Sequence, residues 1–385
     1  MKLTLNDISE IITISFYGRS GSLFLQSLLD SHPNILMLPG DYIRFYFNWW
    51  EYLERKFGNC LDVDFIIKEF GNTFSFVFDA RKSTNAFEGW DGDFGVRLGF
   101  DTMGENQDEF LKIDKSIFNR ELKNLLEDIF PIKSDDFFKA IHIAYFYGMG
   151  RVYDNEQAPN IVYHTHVSDI DGPKELFKVF NEIKTICMIR EPIQSLGSLI
   201  NTYRRAGNIS LDQMLYILNP FLHNGVTKRK KESSCAIKLE DLHTNSKNTL
   251  KNICRFLNIS WDDKLLESTF DGLEWWNAKG SQKVNGFNPN IVKRKHEDLF
   301  TEFDRERLKA LLFKKYDAWE YGTYRKDYET LYKELEEPFE FEKFIFYQNE
   351  EERKNGREII KNLFRQYWKE VNTNENMPLE VKLLK

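Results

Sequence analysis

"FYGRSGSLFLQSLLDSHPN", residues 16–34, is the stretch on which the reading of this chain turns. A β-branched run, IITIS (11–15), leads into it. After it, Leu23, Phe24, Leu28 and Leu29 fall at helical spacing, and His32-Pro33 ends the pattern. The unit is therefore strand, glycine-rich turn, helix. Such a turn aims backbone N–H groups at a bound anion, and the helix start adds positive potential. Gly18 and Gly21 suit that geometry, and the small Ser20 and Ser22 add hydroxyl donors. A tight turn with no ligand is the plainer alternative.

The turn is not a standard nucleotide loop. A Walker A sequence would read GxxxxGK[ST], and Arg19 stands where that loop has Lys. A Rossmann GxGxxG is absent. DIDG (169–172) matches the DxxG of GTPases, but no Walker Lys and no NKxD element accompany it.

The same alternation returns further along. IVYHT (161–165), IKTICMI (183–189) and CAIKL (235–239) read as buried strands. Helical patterns occupy 173–181, 192–205 (Pro192 suiting its first turn) and 246–257. Strands separated by helices predict an α/β fold, a parallel sheet with helices on both faces. Ligands on such sheets bind at the carboxyl ends of strands. The turn at 18–22, Arg190 and Glu240-Asp241 all fall at such ends. Residues 40–150 break the rhythm. DYIRFYFNWWEYL (41–53) holds seven aromatics in thirteen positions. This region is expected to be a large, mostly helical insertion that caps the sheet, with most of its aromatics in its own core. The predicted organisation is one domain over 1–330, including that cap, and a helical extension over 331–385.

Composition narrows the function. The 385 residues are 42% apolar and 29% charged, as in ordinary globular proteins. The net charge of −7 argues against sequence-independent nucleic-acid binding. No apolar run approaches the ~18 residues of a membrane span, and the acidic start does not read as a signal peptide. Cys60, Cys187, Cys235 and Cys254 form no CxxC pair, which suggests free thiols in a reducing compartment. The expected location is cytoplasmic, with no nucleic acid, no transmembrane segment and no metal.

Three blocks, in order, resemble the sulfotransferases that use 3′-phosphoadenosine 5′-phosphosulfate (PAPS). YGRSGSLFLQSLL (17–29) is similar to that family's 5′-phosphosulfate loop. MIREPIQSLGS (188–198) is similar to its 3′-phosphate motif, in which an Arg closes a strand and a Ser lies eight residues on, here Arg190 and Ser198. IKLEDLHTNSKNTLKNICRFLNI (237–259) is similar to its acidic helix entry. YHTHVSD (163–169) and Lys279-Gly280 are weaker matches. The chain departs from the pattern at His164, where the family has Lys, at Leu239, where it has an aromatic, and at Ala278, where it has Arg.

The resemblance implies a P-loop-NTPase-like three-layer fold and transfer of a sulfuryl group from PAPS to an acceptor hydroxyl or amine. It places PAPS against Arg19, Ser20, Gly21, Ser22, Leu23, Arg190, Ser198, Lys279 and Gly280. Lys283 and the run Lys293-Arg294-Lys295 are further candidates for the 3′-phosphate. Arg19 would stabilise the leaving 5′-phosphate electrostatically, because a guanidinium stays protonated. His166 falls at the family's catalytic base, with His164 two residues away, and His142, Glu88 and Asp79 as outside candidates. The acceptor is a small molecule, glycan or lipid that the sequence does not choose. A Mg²⁺-dependent phosphotransferase or nucleotide hydrolase, and a silent binding protein on the same fold, are the rival readings.

Overall fold

The computed structural model describes residues 2–59, 61–87, 90–92, 94–165, 174–227, 233–277, 284–293, 296, 298–373 and 379–385. Its centre is a parallel sheet of β1 (Ile11–Phe16), β2 (Ile35–Leu36), β3 (Asn160–His164), β4 (Ile183–Ile189) and β5 (Ser234–Lys238). The spatial order is β2-β3-β1-β4-β5, so β1 is central. Ile11 pairs with Ile161 on one side and Ile183 on the other, and Phe16 pairs with Met188. Parallel neighbours need long crossovers, which the helices supply. The α/β class expected from the sequence is what forms.

Alternation along the strands splits the interior into two layers. Ile186 and Met188 of β4 face one core, and Cys187 and Ile189 face the other. The first core takes Leu25, Leu28 and Leu29 of the helix Ser22–Leu29, together with the insertion. The second takes Ile193, Leu196 and Ile200 of the helix Pro192–Ala206, and Met214, Ile217 and Leu218 of the helix Leu211–His223.

The insertion is mostly helical, with helices Tyr46–Phe57, Val63–Thr73, Lys115–Leu126 and Ser134–Gly148. Two start on side-chain caps: Asp62 accepts from Phe65 N at 3.0 Å, and Asp114 from Ser116 N at 2.8 Å. The aromatic run at 41–53 goes inward. Tyr42, Tyr46, Phe47, Trp49 and Trp50 are all buried. Trp49 meets Phe70 and Phe74 edge-on at 5.9 and 5.5 Å, a favoured ring geometry. These rings form a core continuous with the sheet, and Phe45 stands at its margin under Arg44.

Much of the described chain after residue 330 packs into the second core. Ile360, Phe364, Tyr367, Trp368 and Val371 of the helix Glu350–Thr373 are buried there. The chain then returns to the sheet. Lys382 O accepts from Ala236 N at 2.7 Å, and Leu384 N donates to Ala236 O at 3.0 Å. The last residues thereby cover the open edge of β5. No described helix is long and apolar enough to cross a membrane.

Candidate anion site at the carboxyl ends of β1 and β4

The turn after β1 is braced from below. Tyr17 N donates to Met188 O at 2.8 Å, carrying the β1–β4 pairing one residue past the strand. The Tyr17 hydroxyl donates to Phe221 O at 2.7 Å, and its ring meets Trp319 edge-on at 4.8 Å. Gly18 follows at φ +60°, where a Cβ would lie 2.0 Å from Ser195 Oγ. That hydroxyl donates to Tyr17 O at 3.2 Å, so it is not free to move aside. Gly21 closes the turn at φ +79°, and a Cβ there would lie 2.5 Å from Leu239 Cδ1. Both glycines are required by conformation and by space. Leu239, a departure from the resembled motif, is therefore a wall of the turn.

The helix Ser22–Leu29 starts on Gly21 with no side-chain cap. Its first N–H groups have no intrahelical partner, and the first bond is Leu25 N to Gly21 O at 3.0 Å. The serines differ in what they can offer. Ser20 is buried and donates to Met188 O at 2.7 Å, so its hydroxyl is spent on the scaffold. Ser22 and Leu23 remain half-exposed at the helix start. Arg19 reaches solvent and makes no hydrogen bond or ion pair among the described residues. Desolvation by the surrounding protein nonetheless lowers its pKa. A side chain that water touches and protein surrounds lies in an open cleft. The turn thus combines uncapped N–H groups with a cation that no described side chain neutralises, which fits an anionic group.

One strand over, Arg190 ends β4 and is only 4% exposed. Its Nη2 donates to Ile291 O at 3.3 Å. The segment after Ile291 also packs on the helix that Arg190 precedes. His296 Nδ1 lies 2.9 Å from Asn201 Nδ2, and a Cβ at Gly197 would come within 2.6 Å of the His296 ring. Ser198, the next residue, is half-exposed on that helix. Lys293 is exposed at the end of the same segment.

His243 joins the two turns and was not legible as a site residue beforehand. Its ring stacks on Phe24 of the Ser22–Leu29 helix at 4.6 Å, and Phe24 meets Phe287 edge-on at 5.4 Å. Asn288 N donates to its Nδ1 at 3.1 Å, which requires that nitrogen unprotonated. Burial, and then the charge of Arg190, push its pKa down to about 4. The only sequence signal was its place three residues after Glu240.

The candidate bases separate. His166, Lys279 and Gly280 lie outside the described residues, as do Glu88, Lys283, Arg294 and Lys295. His164 ends β3 at 1% exposure, its ring parallel to Phe16 at 6.3 Å. His142 is buried within its helix, donates from Nδ1 to Phe138 O at 2.7 Å, and is held by burial at a pKa of about 4. Asp79 is tied to Arg81 by two bonds at 3.0 Å. Among the described residues no group of three or more His, Cys, Asp or Glu side chains is placed to share a metal ion.

Comparison with known proteins adds only distant likenesses. No family model and no curated protein matches the chain. Among solved structures it is similar to the sulfotransferase domain from the curacin biosynthetic pathway, at 15% identity and a TM-score of 0.35, over 74% of this chain and 86% of that one. A sulfotransferase domain from the olefin synthase of Synechococcus PCC 7002 gives 16% identity and a TM-score of 0.37, over 75% and 84%. A sulfotransferase from Mycobacterium tuberculosis H37Rv gives 10% identity and a TM-score of 0.33, over 67% and 70%. At such scores the likeness decides nothing about activity, which rests on the chain's own residues.

Proposed function

We propose that this protein transfers a sulfuryl group from PAPS to an acceptor hydroxyl or amine and releases 3′,5′-ADP. The observation that carries the reading is Arg19, a cation without a described partner beside uncapped helix N–H groups. Gly18 and Gly21 hold the turn in the one shape that presents those groups together. Arg190, at the end of the adjacent strand, takes the 3′-phosphate. Ser198, Lys279 and Gly280 are assigned to the same end of the donor by the resemblance.

The reaction is an in-line displacement at sulfur. The acceptor oxygen forms a bond to sulfur, the bond from sulfur to the 5′-phosphate oxygen breaks, and the acceptor proton passes to a base. Charge builds on the leaving phosphate, where Arg19 and the turn's N–H groups stand. His166 is the proposed base. His164 is 1% exposed, with its ring against Phe16.

Thermal unfolding with 3′,5′-ADP, ATP and GTP, each with and without Mg²⁺, tests the assignment. Stabilisation by 3′,5′-ADP that is independent of Mg²⁺ is expected. Stabilisation by ATP or GTP only with Mg²⁺ would replace this reading with a phosphotransferase. No shift with any of the three would favour a silent binding protein.

A further inference from the structure

A hairpin late in the chain ties the helix Ser22–Leu29 to the insertion. Its strands, Thr269–Phe270 and Leu273–Glu274, are joined by Asp271 at φ +52° and Gly272 at φ +78°. Positive φ at both central residues is the two-residue turn that suits a twisted hairpin. On the helix side, the buried hydroxyls of Ser27 and Ser268 share a hydrogen bond at 2.7 Å. Asp30, 3% exposed at the helix end, accepts through Oδ2 from Thr269 Oγ1 at 3.2 Å and from Gly272 N at 3.0 Å. On the insertion side, Trp275 Nε1 donates to Leu98 O at 2.9 Å and Trp276 Nε1 to Gly104 O at 2.8 Å. Phe270 meets Phe100 edge-on at 4.8 Å.

The tip of this hairpin carries an acid with an incomplete set of partners. Tyr145, in the helix Ser134–Gly148, donates its hydroxyl to Asp271 Oδ2 at 2.7 Å. Asp271 as a residue is half-buried, but its Oδ1 is sealed from solvent and has no hydrogen-bond partner. The Tyr42 hydroxyl, within electrostatic reach of Asp271, is sealed and unpartnered as well, and Asp41, Asp79 and Asp101 also act on it. The charged groups that face Asp271 are Asp30 and Arg151. Arg151 lies 3.7 Å from Asp30 Oδ2 and is bound to that side of the pair. A carboxylate oxygen withdrawn from water without a donor is costly, and a second carboxylate beside it adds repulsion. One proton on the pair relieves both. Burial, and then the charge of Asp30, raise the pKa of Asp271 to about 7, against the opposing pull of Tyr145 and Arg151. The proton belongs to the pair as a unit.

We propose that Asp30 and Asp271 form a proton-operated latch, which clasps the helix end to the insertion while one proton is held and loosens the hairpin tip when that proton is lost. The proton passes to water, and two facing carboxylates remain. The latch does not depend on which donor the first turn binds.

The test compares the full chain with Asp271→Asn, which fixes the neutral state and keeps the turn, since Asn-Gly is favoured there. Between about pH 4, where an unfolded carboxyl titrates, and about pH 7, the folded chain keeps a proton that the unfolded chain has lost. Stability therefore falls as pH rises through that window and levels off above it. In denaturant titrations, the advantage of Asp271→Asn in the folding constant should grow about tenfold per pH unit and then become constant. Tyr145→Phe removes a donor to the charged form and should move the levelling point to higher pH. Hydrogen exchange of the 268–277 amides, corrected for base catalysis, reads the latch itself. Wild-type protection there should drop about tenfold or more between about pH 6 and pH 8, and Asp271→Asn protection should hold. An Asp271→Asn advantage that is the same at every pH would show that no proton is held and overturn the proposal. Hairpin protection that follows one course in both proteins would overturn it too. Where Tyr145→Phe does not fold, Asp271→Asn carries the test.

Discussion

The turns after β1 and β4 lie side by side and are built on opposite plans. The first is backbone-rich: Gly18 and Gly21 at positive φ, an uncapped helix start and one cation reaching solvent. The second is side-chain-rich: a buried Arg190, a helix capped by Glu191, and covering residues in which Ile291 O accepts from Arg190 and the His296 ring packs on Gly197. A backbone nest grips any tetrahedral anion and is indifferent to what carries it. A buried fork with fixed neighbours selects a particular anion in a particular place. On the proposed function, the first turn would hold the reacting end of a donor, and the second would discriminate which donor is held.

That contrast can be broken at several points. The largest effect is expected at Arg19. Arg19→Ala should lower kcat by about 10²–10³-fold with the melting temperature retained, as for loss of one donor to a developing charge. Full activity would remove the first turn from the chemistry. Arg190→Met should leave kcat nearer wild type and raise the dissociation constant of 3′,5′-ADP by roughly 10- to 100-fold, while 5′-AMP binding holds. Identical kinetic signatures in the two variants would erase the division of labour.

Gly18→Ala tests the backbone plan alone. The added methyl meets Ser195 Oγ at a strained φ, and about 1–3 kcal/mol of stability should be lost in denaturant titration. Gly18→Ala/Ser195→Ala should recover the steric part and leave the conformational part.

The smallest expected effect is in the second turn's acid response. His243 titrates near pH 4 when folded and near 6.5 when unfolded. Its contribution is complete above pH 6.5. Below that, the unfolded chain takes up a proton that the folded one refuses, and stability falls until about pH 4. At pH 5.5 the loss from this residue should be about 1 kcal/mol. His243→Gln should flatten the stability profile over that window, and an unaltered profile would show that the ring is not held neutral.

The fold was legible because its signals are local. Each long sheet strand is a short apolar run, and each helix beside it keeps a 3.6-residue period. The helices at 22–30, 192–205 and 246–257 form at Ser22–Leu29, Pro192–Ala206 and Ser246–Leu257. At the site, Gly18, Arg19 and Gly21 could be read from one turn. The partners that complete it could not. Ser195 and Leu239 reach it from far along the chain, and nothing local marks either as a wall of the turn. Ser20 likewise donates to Met188 O at 2.7 Å, a partner that only the folded sheet brings within reach.

The floor beneath Tyr17 also bears on how the chain is made. Trp319, which packs against Tyr17, is itself anchored by its Nε1 donating to Val381 O at 3.1 Å. Buried Lys315, in the helix Phe313–Ala318 just before Trp319, reaches Glu380 at 3.2 Å. Residue 17 leaves the ribosome well before residue 381. Synthesis runs from the amino end, so a nascent chain carries the whole GRSGS motif long before it has the support that shapes it. Ligand binding therefore becomes a report on whether the chain has been made as far as Val381: a chain stopped short of Glu380 would contain every residue of the first turn and lack part of its support.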